Sequence, residues 1–344
     1  MSSKLGKDVP WESSMRGTLY KQLRVHPKPL QPRPNLQGQT AIITGGNGGL
    51  GLEAGRQLLD LGLSNLILAV RSQAKGDAAA AKLREEFPDS TIDVSILDMA
   101  DYSSILSFGD RCRNLQGSID YVILNAGLQN SSFEKNSETG HEAVMQTNYL
   151  STVLLLLLLI PIVKEKHIKT KINRPPVITI VGSDTMYFST FDSPGSIFAK
   201  TDDPDRFSKM QNYSDSKFLL MMFIARLAEK VDPDDVLINV CNPGLTGGTS
   251  LGHEGDALLN RIVISLFTKA VGRSLFSGAS NYIHALLGEG KQSHGSFVSE
   301  WSIKPYAAAM YTEAGNDLAD KLWQETKEEL KFASKVGAQE FFSS

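Results

Sequence analysis

The amino-acid sequence predicts an α/β protein built on one doubly wound parallel sheet. From Thr40 onward, short runs rich in Val, Ile and Leu alternate with longer segments of helical periodicity. The short runs are apolar on both faces, which is typical of strands covered by helices on two sides. Neither an internal repeat nor a polar linker interrupts the alternation, so we predict one domain over residues 38–335.

The individual elements follow from this alternation in chain order. Strands are expected at Thr40–Thr44, Leu66–Val70, Ile92–Leu97, Tyr121–Leu124, Val177–Val181, Val236–Cys241 and Gly295–Ser299. Helices are expected at Leu50–Leu61, Ala74–Phe87, Tyr102–Asn114, Gly140–Glu165 and Tyr213–Val231. The connections 184–212 and 245–274 are too long for simple loops, and they follow strands at the sheet edge where such proteins bind ligands. We expect both connections to contact a substrate.

Two segments lie outside the predicted domain. Four prolines between positions 27 and 34 block helix and central strand, so residues 1–37 are predicted to be an extended leader. Residues 336–344 are predicted to be a tail. The leader has no apolar signal segment, and the longest apolar run, Val153–Val163, is shorter than the roughly 20 residues of a membrane span. We therefore expect a cytoplasmic protein without a transmembrane segment.

Composition and charge exclude several classes of function. The chain has 35 basic and 38 acidic residues, so electrostatic binding of nucleic acid or of an anionic membrane is not expected as its main activity. Hydrophobic residues make up 41%, which excludes a disordered protein. No Cys and His residues have metal-ligand spacing, so no metal site is predicted.

The first strand runs into a glycine-rich turn, Thr44–Gly51, and then into a helix. Gly45 allows a tight turn, Gly49 allows the backbone to approach a pyrophosphate, and Gly51 allows close packing of the helix on the strand. The positive end of the helix dipole points toward the same phosphate. The sequence therefore predicts a dinucleotide site whose turn residues are Gly45, Asn47, Gly48, Gly49, Leu50 and Gly51.

The end of the second strand predicts which dinucleotide is bound. An acidic residue there would accept hydrogen bonds from the ribose hydroxyls of NAD, whereas a cation pairs with the 2′-phosphate of NADP. This strand ends in Arg71 and Ser72, without an acid, and so favours NADP(H). Asp98 follows the third strand, where it either lies beside the adenine or caps the next helix.

Tyr213 and Lys217 are four residues apart in a predicted helix, so they share one face. A neighbouring ammonium lowers the pKa of a phenol and prepares it for acid–base chemistry. The same spacing by itself also describes an ordinary solvated helix face.

The order of these motifs along the chain resembles that of the short-chain dehydrogenases/reductases. The set comprises Thr44–Gly51, Asn125-Ala126-Gly127, Asn148, Ser183, Tyr213 with Lys217, and Pro243-Gly244. Within that superfamily the chain is similar to the retinol-dehydrogenase-like branch, especially its fungal members. The resemblance implies a Rossmann-type sheet of about seven strands in the order 3-2-1-4-5-6-7.

The resemblance also implies a role for each matched residue. Tyr213 would donate the proton to the carbonyl oxygen, and Ser183 would hold that oxygen. Lys217 would bind the nicotinamide ribose, and Asn148 would hold a water that links Lys217 to solvent. Asn125, Ala126 and Gly127 would line the cofactor channel. Pro243 and Gly244 would precede a threonine that contacts the carboxamide, a position for which Thr246 and Thr249 compete.

Together these residues predict an NADP(H)-dependent oxidoreductase. The apolar residues of the two long connections favour a bulky hydrophobic carbonyl or alcohol, and the fungal resemblance implies a secondary metabolite. The alternative is a cyclase, dehydratase or isomerase that uses Tyr213 and Lys217 as acid and base without redox chemistry. The helices around 153–160 and 218–225 are apolar on all sides, so we expect a partner subunit to cover them in a homodimer or homotetramer, with a monomer as the alternative.

Overall fold

The structure, a computed structural model, describes residues 1–168, 174–192, 194–248, 271–336 and 341–342. Its strands are β1 Thr40–Thr44, β2 Asn65–Val70, β3 Thr91–Ile96, β4 Tyr121–Leu124, β5 Val177–Val181, β6 Leu237–Asn242, β7 Phe297–Ser299 and β8 Ser302–Lys304. The strand order in the sheet is β3-β2-β1-β4-β5-β6-β7-β8. The predicted order 3-2-1-4-5-6-7 is confirmed, and one more strand extends the sheet.

Helices cover both faces of this sheet. The helices are α1 Val9–Glu12, α2 Met15–Arg24, α3 Gly49–Asp60, α4 Gln73–Glu86, α5 Tyr102–Asn114, α6 Ala143–Met145, α7 Thr152–Ile168, α8 Ile197–Thr201, α9 Lys209–Ala228, α10 Leu275–Leu287 and α11 Glu313–Glu329. One apolar core joins the sheet to α3, α4 and α10. The other joins it to α5, α7, α9 and α11. A doubly wound sheet follows from these two cores.

The eighth strand was not predicted, because the turn before it lacks the usual sequence signal. Strands β7 and β8 are antiparallel and are joined by Glu300 and Trp301, which have φ angles of 47° and 54°. Such turns normally use Gly or Asn. Here tertiary contacts hold the turn, since the Trp301 amide donates to Asn281 Oδ1 (3.0 Å) and its indole N–H donates to Ser280 Oγ (3.0 Å).

The prediction that residues 1–37 are extended is wrong for the first part of the leader. Helices α1 and α2 occupy residues 9–24, and Ser14 caps α2 by accepting a hydrogen bond from the Gly17 amide (2.9 Å). The prolines that suggested an extended chain begin only at Pro27, beyond α2. Ser2 is buried and binds the backbone of Phe297 in β7 (2.9 Å), so the leader packs on the sheet.

The helix predicted at Gly140–Glu165 is divided by a π-helical turn at Gln146–Ser151, between α6 and α7. By length and composition the stretch Ala143–Ile168 could cross a membrane, but 94% of its most apolar window is buried inside the molecule. This burial is what a core helix of a sheet protein requires. The π turn contains Asn148, one of the predicted site residues.

The apolar faces that the sequence assigned to a partner subunit are covered by the chain itself. Trp323 of α11 stacks on Phe223 of α9, with ring centroids 4.9 Å apart. Tyr149 and Thr326 share a hydrogen bond of 2.6 Å, and Phe342, from the predicted tail, packs 5.0 Å from Trp323. The apolar faces of α7 and α9 therefore do not require a partner subunit to cover them. The oligomeric state stays a prediction.

Candidate active site

The glycine-rich turn between β1 and α3 has the geometry of a phosphate cradle. Gly45 and Gly49 have positive φ angles, 65° and 53°, which side chains other than glycine rarely adopt. A Cβ atom at Gly51 would lie 2.7 Å from Asn125 Nδ2. At Gly48 and Gly49, by contrast, no atom of the described residues lies within 4 Å of a Cβ position. The first amides of α3 thus border free space, where a pyrophosphate fits.

Asn125, Ala126 and Gly127 follow β4 and close the other side of this turn. Asn125 Nδ2 donates to the carbonyl of Thr44 (2.9 Å), and the Ala126 amide donates to Thr44 Oγ1 (2.9 Å). Tyr282 of α10 donates a longer hydrogen bond to Asn125 Oδ1 (3.4 Å). The sequence did not identify Tyr282, because nothing local links it to a turn about 157 residues earlier.

The residues predicted to choose the dinucleotide lie at the ends of β2 and β3. Arg71 is exposed, and Ser72 caps α4 by accepting a hydrogen bond from the Lys75 amide (3.4 Å). Asp98 Oδ1 accepts a hydrogen bond from the Ala100 amide (2.9 Å), so Asp98 closes a turn, and Asp101 caps α5 instead. The structure leaves the guanidinium of Arg71 accessible to a ligand.

Tyr213 and Ser183 meet at the carboxyl end of β5. Tyr213 lies in α9, both side chains are buried, and the Ser183 hydroxyl is close enough to the phenol to affect its pKa. Burial raises the pKa of Tyr213 to about 12, the Ser183 hydroxyl opposes the rise, and the charge of Asp184 adds to it. The sequence predicted a lowered pKa. In the protein by itself burial dominates, so Tyr213 is a neutral phenol.

Lys217 is one helical turn beyond Tyr213 and is only 5% exposed. Its Nζ donates to the carbonyl of Val181 at the end of β5 (2.8 Å) and lies 5.7 Å from the centre of the Tyr213 ring. Burial lowers the pKa of Lys217 to about 8. The predicted pairing of Tyr213 and Lys217 on one helix face is thus present.

Asn148 is in the π turn, fully buried beside Lys217. It accepts a hydrogen bond from the Leu128 amide (2.9 Å) and donates to the carbonyl of the same residue (3.0 Å). A Cβ atom at Gly127 would meet both Asn148 Oδ1 (3.1 Å) and Lys217 Nζ (3.7 Å). A side chain at residue 127 would therefore be in tight contact with Asn148 and in ordinary contact with Lys217.

Ser216 is a site residue that the sequence interpretation missed. Its Oγ accepts a hydrogen bond from Asn148 Nδ2 (3.1 Å) and donates to the carbonyl of Tyr213 (2.8 Å). It thereby connects the π turn to α9. Its position directly before Lys217 was the available signal, but an isolated serine in a helix is too common to be informative.

Pro243 and Gly244 follow β6 as predicted. Gly244 has a φ of 75°, and a Cβ atom there would lie 2.5 Å from Arg273 Nη1. Thr246 Oγ1 donates to the carbonyl of Gly244 (3.1 Å), and α10 packs so closely that a Cβ at Gly278 would meet both Thr246 and Leu50. Thr246 is therefore next to the glycine-rich turn. Thr249 lies outside the described residues.

The leader helix α2 contacts the same connection. Gln22 Nε2 donates to the carbonyls of Leu245 (2.7 Å) and Val271 (3.0 Å), and Gln22 Oε1 accepts from the Leu245 amide (3.2 Å). Gln22 thus joins the two ends of the connection between β6 and α10. No pattern in the sequence pairs residue 22 with a loop more than 220 residues away.

A cluster of buried charges extends from α2 to the turn that carries Ser183. Lys21 forms an ion pair with Glu12 (2.7 Å), and Arg273 donates to the Lys21 carbonyl (3.1 Å) and lies 3.5 Å from Glu300. Burial raises the pKa of Asp184, Glu300 raises it further, and Lys21 and Arg273 oppose the rise. Lys21 of the leader therefore balances part of the buried negative charge next to Ser183.

The aromatic residues of connection 184–212 divide between core and surface. Met186 and Phe198 are buried in the core, and Phe188 and Met210 are exposed. A cleft between this connection and α9 is mostly polar and is lined in part by Phe191, Asp192, Lys200, Arg206 and Asp215. Tyr213 does not line it, so this cleft is not the expected hydrophobic pocket.

Comparison with known proteins agrees with this geometry. The family model described as short chain dehydrogenase matches residues 39–172. The chain is 47% identical over 338 residues to the short chain dehydrogenase virL of Hypocrea virens, covering 98% of both chains.

Two solved structures are similar in fold. The L-sorbose reductase of Gluconobacter frateurii, complexed with NADPH and L-sorbose, has a TM-score of 0.58 and 19% identity, covering 77% of this chain and 95% of that one. The 3-ketoacyl-(acyl-carrier-protein) reductase of Brucella melitensis, complexed with NADH, has a TM-score of 0.56 and 16% identity, covering 77% and 97%.

Proposed function

The chain belongs to the short-chain dehydrogenase family, and from this membership we propose that it is an NADP(H)-dependent reductase of bulky hydrophobic carbonyl compounds. Membership makes it a nicotinamide-dependent oxidoreductase. The observation that supports carbonyl reduction is the meeting of Tyr213, Ser183 and Lys217 at the end of β5, beside a phosphate cradle.

The residues of this chain divide the chemistry among them. When bound, the nicotinamide supplies or accepts the hydride. Ser183 and Tyr213 offer two hydroxyl groups to one carbonyl oxygen, and Tyr213, as a neutral phenol, donates the proton. Lys217 lies beside the ring of Tyr213 and supplies positive charge as the phenol loses its proton.

The preference for NADP(H) rests on the end of β2. Arg71 is exposed there, and no acidic residue follows the strand to bind ribose hydroxyls. The fold alone does not choose, since the two structures compared above contain NADPH and NADH, respectively. We therefore assign the preference for NADP(H) over NAD(H) to Arg71, and also to Ser72 because it directly follows Arg71.

The substrate proposal rests on the exposed apolar side chains of Phe188, in the connection that follows Ser183, and Met210, which lies one turn before Tyr213 in α9. Apolar walls of this kind bind hydrophobic compounds, and secondary metabolites are the class we propose. Turnover by the purified chain of a panel of hydrophobic ketones and aldehydes, followed by NADPH absorbance, tests this directly. Reduction confined to small polar carbonyls would contradict it.

Replacing Tyr213 tests the catalytic assignment. Tyr213→Phe removes the proton donor and leaves the ring, so we expect the rate of reduction to fall by at least about a hundredfold with cofactor binding retained. Tyr306→Phe, which removes a partly buried hydroxyl elsewhere in the fold, is the control. Activity of Tyr213→Phe within tenfold of wild type would refute the assignment. Turnover without any change in nicotinamide absorbance would favour the cyclase, dehydratase or isomerase alternative.

Replacing Arg71 tests the cofactor preference separately. We expect Arg71→Ala to weaken NADPH binding by about tenfold or more, measured by calorimetry, and to leave NADH binding nearly unchanged. Arg113→Ala, at the exposed end of α5, is the control. An unchanged ratio of the two affinities in Arg71→Ala would remove the basis for NADP(H).

A further inference from the structure

The leader carries an exposed apolar surface that the fold does not use. Six of the thirteen exposed large hydrophobic side chains among the described residues lie within the first 23 positions. We call five of them the leader patch: Trp11 (49% exposed), Met15 (76%), Leu19 (51%), Tyr20 (54%) and Leu23 (46%). Such a concentration in one short segment is not the scattered exposure of an ordinary surface.

The patch has the spacing of one helix face. Met15, Leu19 and Leu23 are four residues apart in α2, and the ring of Tyr20 packs against Trp11 at the end of α1, with centroids 6.0 Å apart. These exposed fractions amount to on the order of 500 Å² of surface, a size that usually marks an interaction site on a monomer.

The opposite face of α2 is fixed to the protein. Lys21 is buried in its ion pair with Glu12, Gly17 is also buried, and Gln22 binds the connection after β6. The leader patch is therefore held outward on a rigid support.

The charge of the leader identifies what kind of surface it fits. Residues 1–37 contain seven Lys and Arg against two acidic residues, a net charge of +5, whereas the rest of the chain has 28 basic and 36 acidic residues, a net charge of −8. The whole-chain balance conceals this asymmetry. Arg16 and Arg24 are exposed on α2 itself, and Lys4, Lys7 and Lys28 are exposed on either side of it.

We propose that the leader patch docks the protein on an anionic lipid surface. Helices that lie in the membrane interface combine Trp, Tyr and Leu with flanking Lys and Arg, because the rings and aliphatic groups enter the headgroup region while the cations remain beside lipid phosphates. Each basic residue near such a surface contributes about 1 kcal/mol. This peripheral binding needs no transmembrane segment and agrees with the cytoplasmic location expected from the sequence.

Sedimentation with vesicles tests the proposal on the full chain. We expect the protein to sediment with vesicles of about 70% phosphatidylcholine and 30% phosphatidylserine, to remain in solution with pure phosphatidylcholine, and to be released at least fivefold by about 0.5 M NaCl. Leu19→Asp should reduce binding at least fivefold, as should the double variant Arg16→Glu, Arg24→Glu. Phe276→Asp, at another exposed apolar residue, should bind like wild type.

Tryptophan fluorescence gives an independent measurement of the same event. Of the three tryptophans, Trp301 and Trp323 are buried, so a blue shift on addition of anionic vesicles reports on Trp11. Unchanged thermal unfolding of Leu19→Asp establishes that the variant is folded. Failure of wild type to bind anionic vesicles, or full binding by folded Leu19→Asp, would overturn the proposal. A halved mass of Leu19→Asp in light scattering would also overturn it, by assigning the patch to a second copy of the chain.

Discussion

The burial of Lys217 at the candidate active site lowers the free energy of unfolding. Burial lowers its pKa from 10.5 to about 8, so at pH 7 the folded protein holds a charged ammonium that its surroundings disfavour. A difference of 2.5 pKa units corresponds to about 3 kcal/mol. Lys217→Met removes this cost but leaves the Val181 carbonyl without its donor, which costs about 1 to 3 kcal/mol.

The two effects are separated by their dependence on pH. The protonated form of Lys217 is favoured in the unfolded chain, so its destabilising effect is complete below pH 8 and disappears as the pH rises toward 10.5. The lost hydrogen bond to Val181 does not depend on pH in this way. We therefore expect the stability of Lys217→Met relative to wild type to fall by about 2 kcal/mol between pH 7 and pH 10.

Urea unfolding of both proteins at pH 7, 8, 9 and 10 measures this difference. Other groups titrate over the same range, but they are common to both chains and cancel in the comparison. Lys82→Met, on the exposed side of α4, is the matched control and should show no such slope. A difference between wild type and Lys217→Met that stays constant from pH 7 to pH 10 would refute the reasoning.

Three further predictions concern parts of the fold around the site. Burial alone would lower the pKa of His141, but hydrogen bonds with the carboxylates of Asp202 and Glu329 raise it to about 9. We therefore expect His141→Asn to lower the free energy of unfolding by about 2 kcal/mol at pH 6, measured with urea. This loss should disappear as the pH rises through 9, because wild-type His141 then loses its proton. Gln22→Ala should raise the KM for the dinucleotide severalfold with little change in kcat or Tm, unlike Gln73→Ala on exposed α4. Trp323→Asp should expose the apolar face of α9 and cause self-association, visible as an increased mass in light scattering.

The parallel sheet could be predicted because its signal is local. Each strand from β1 to β7 is a short apolar run, and the structure places their ends within two residues of the predicted positions. The glycine turn and the Tyr213–Lys217 pair are also local patterns. The structure places Ser183 and Asn148 beside that pair, because the ends of parallel strands converge at one edge of the sheet.

The features that the sequence did not reveal depend on contacts between distant residues. Gln22 and Lys21 act on residues more than 160 positions away, and no periodicity records such a pairing. Helix α11 covers α9 through Trp323, a contact that a pattern of apolar residues in α9 could equally assign to a partner. The prediction of an extended leader was wrong for residues 9–24, because the four prolines that suggested it all lie after residue 26.

The pKa shifts of Tyr213 and Lys217 have one cause, burial, and opposite directions. Burial raises the pKa of the phenol to about 12 and lowers that of the amine to about 8, so both groups are held toward their neutral forms. A neutral Tyr213 is already the proton donor that carbonyl reduction needs. To serve as the base in alcohol oxidation near pH 8, its pKa must fall by about four units, or about 5 kcal/mol. Lys217 is the cation beside its ring, yet Lys217 begins to lose its own charge at that same pH. Without a bound cofactor, the surroundings of Tyr213 thus hold its phenol in the protonated form, and Lys217 is the neighbouring cation that opposes this effect.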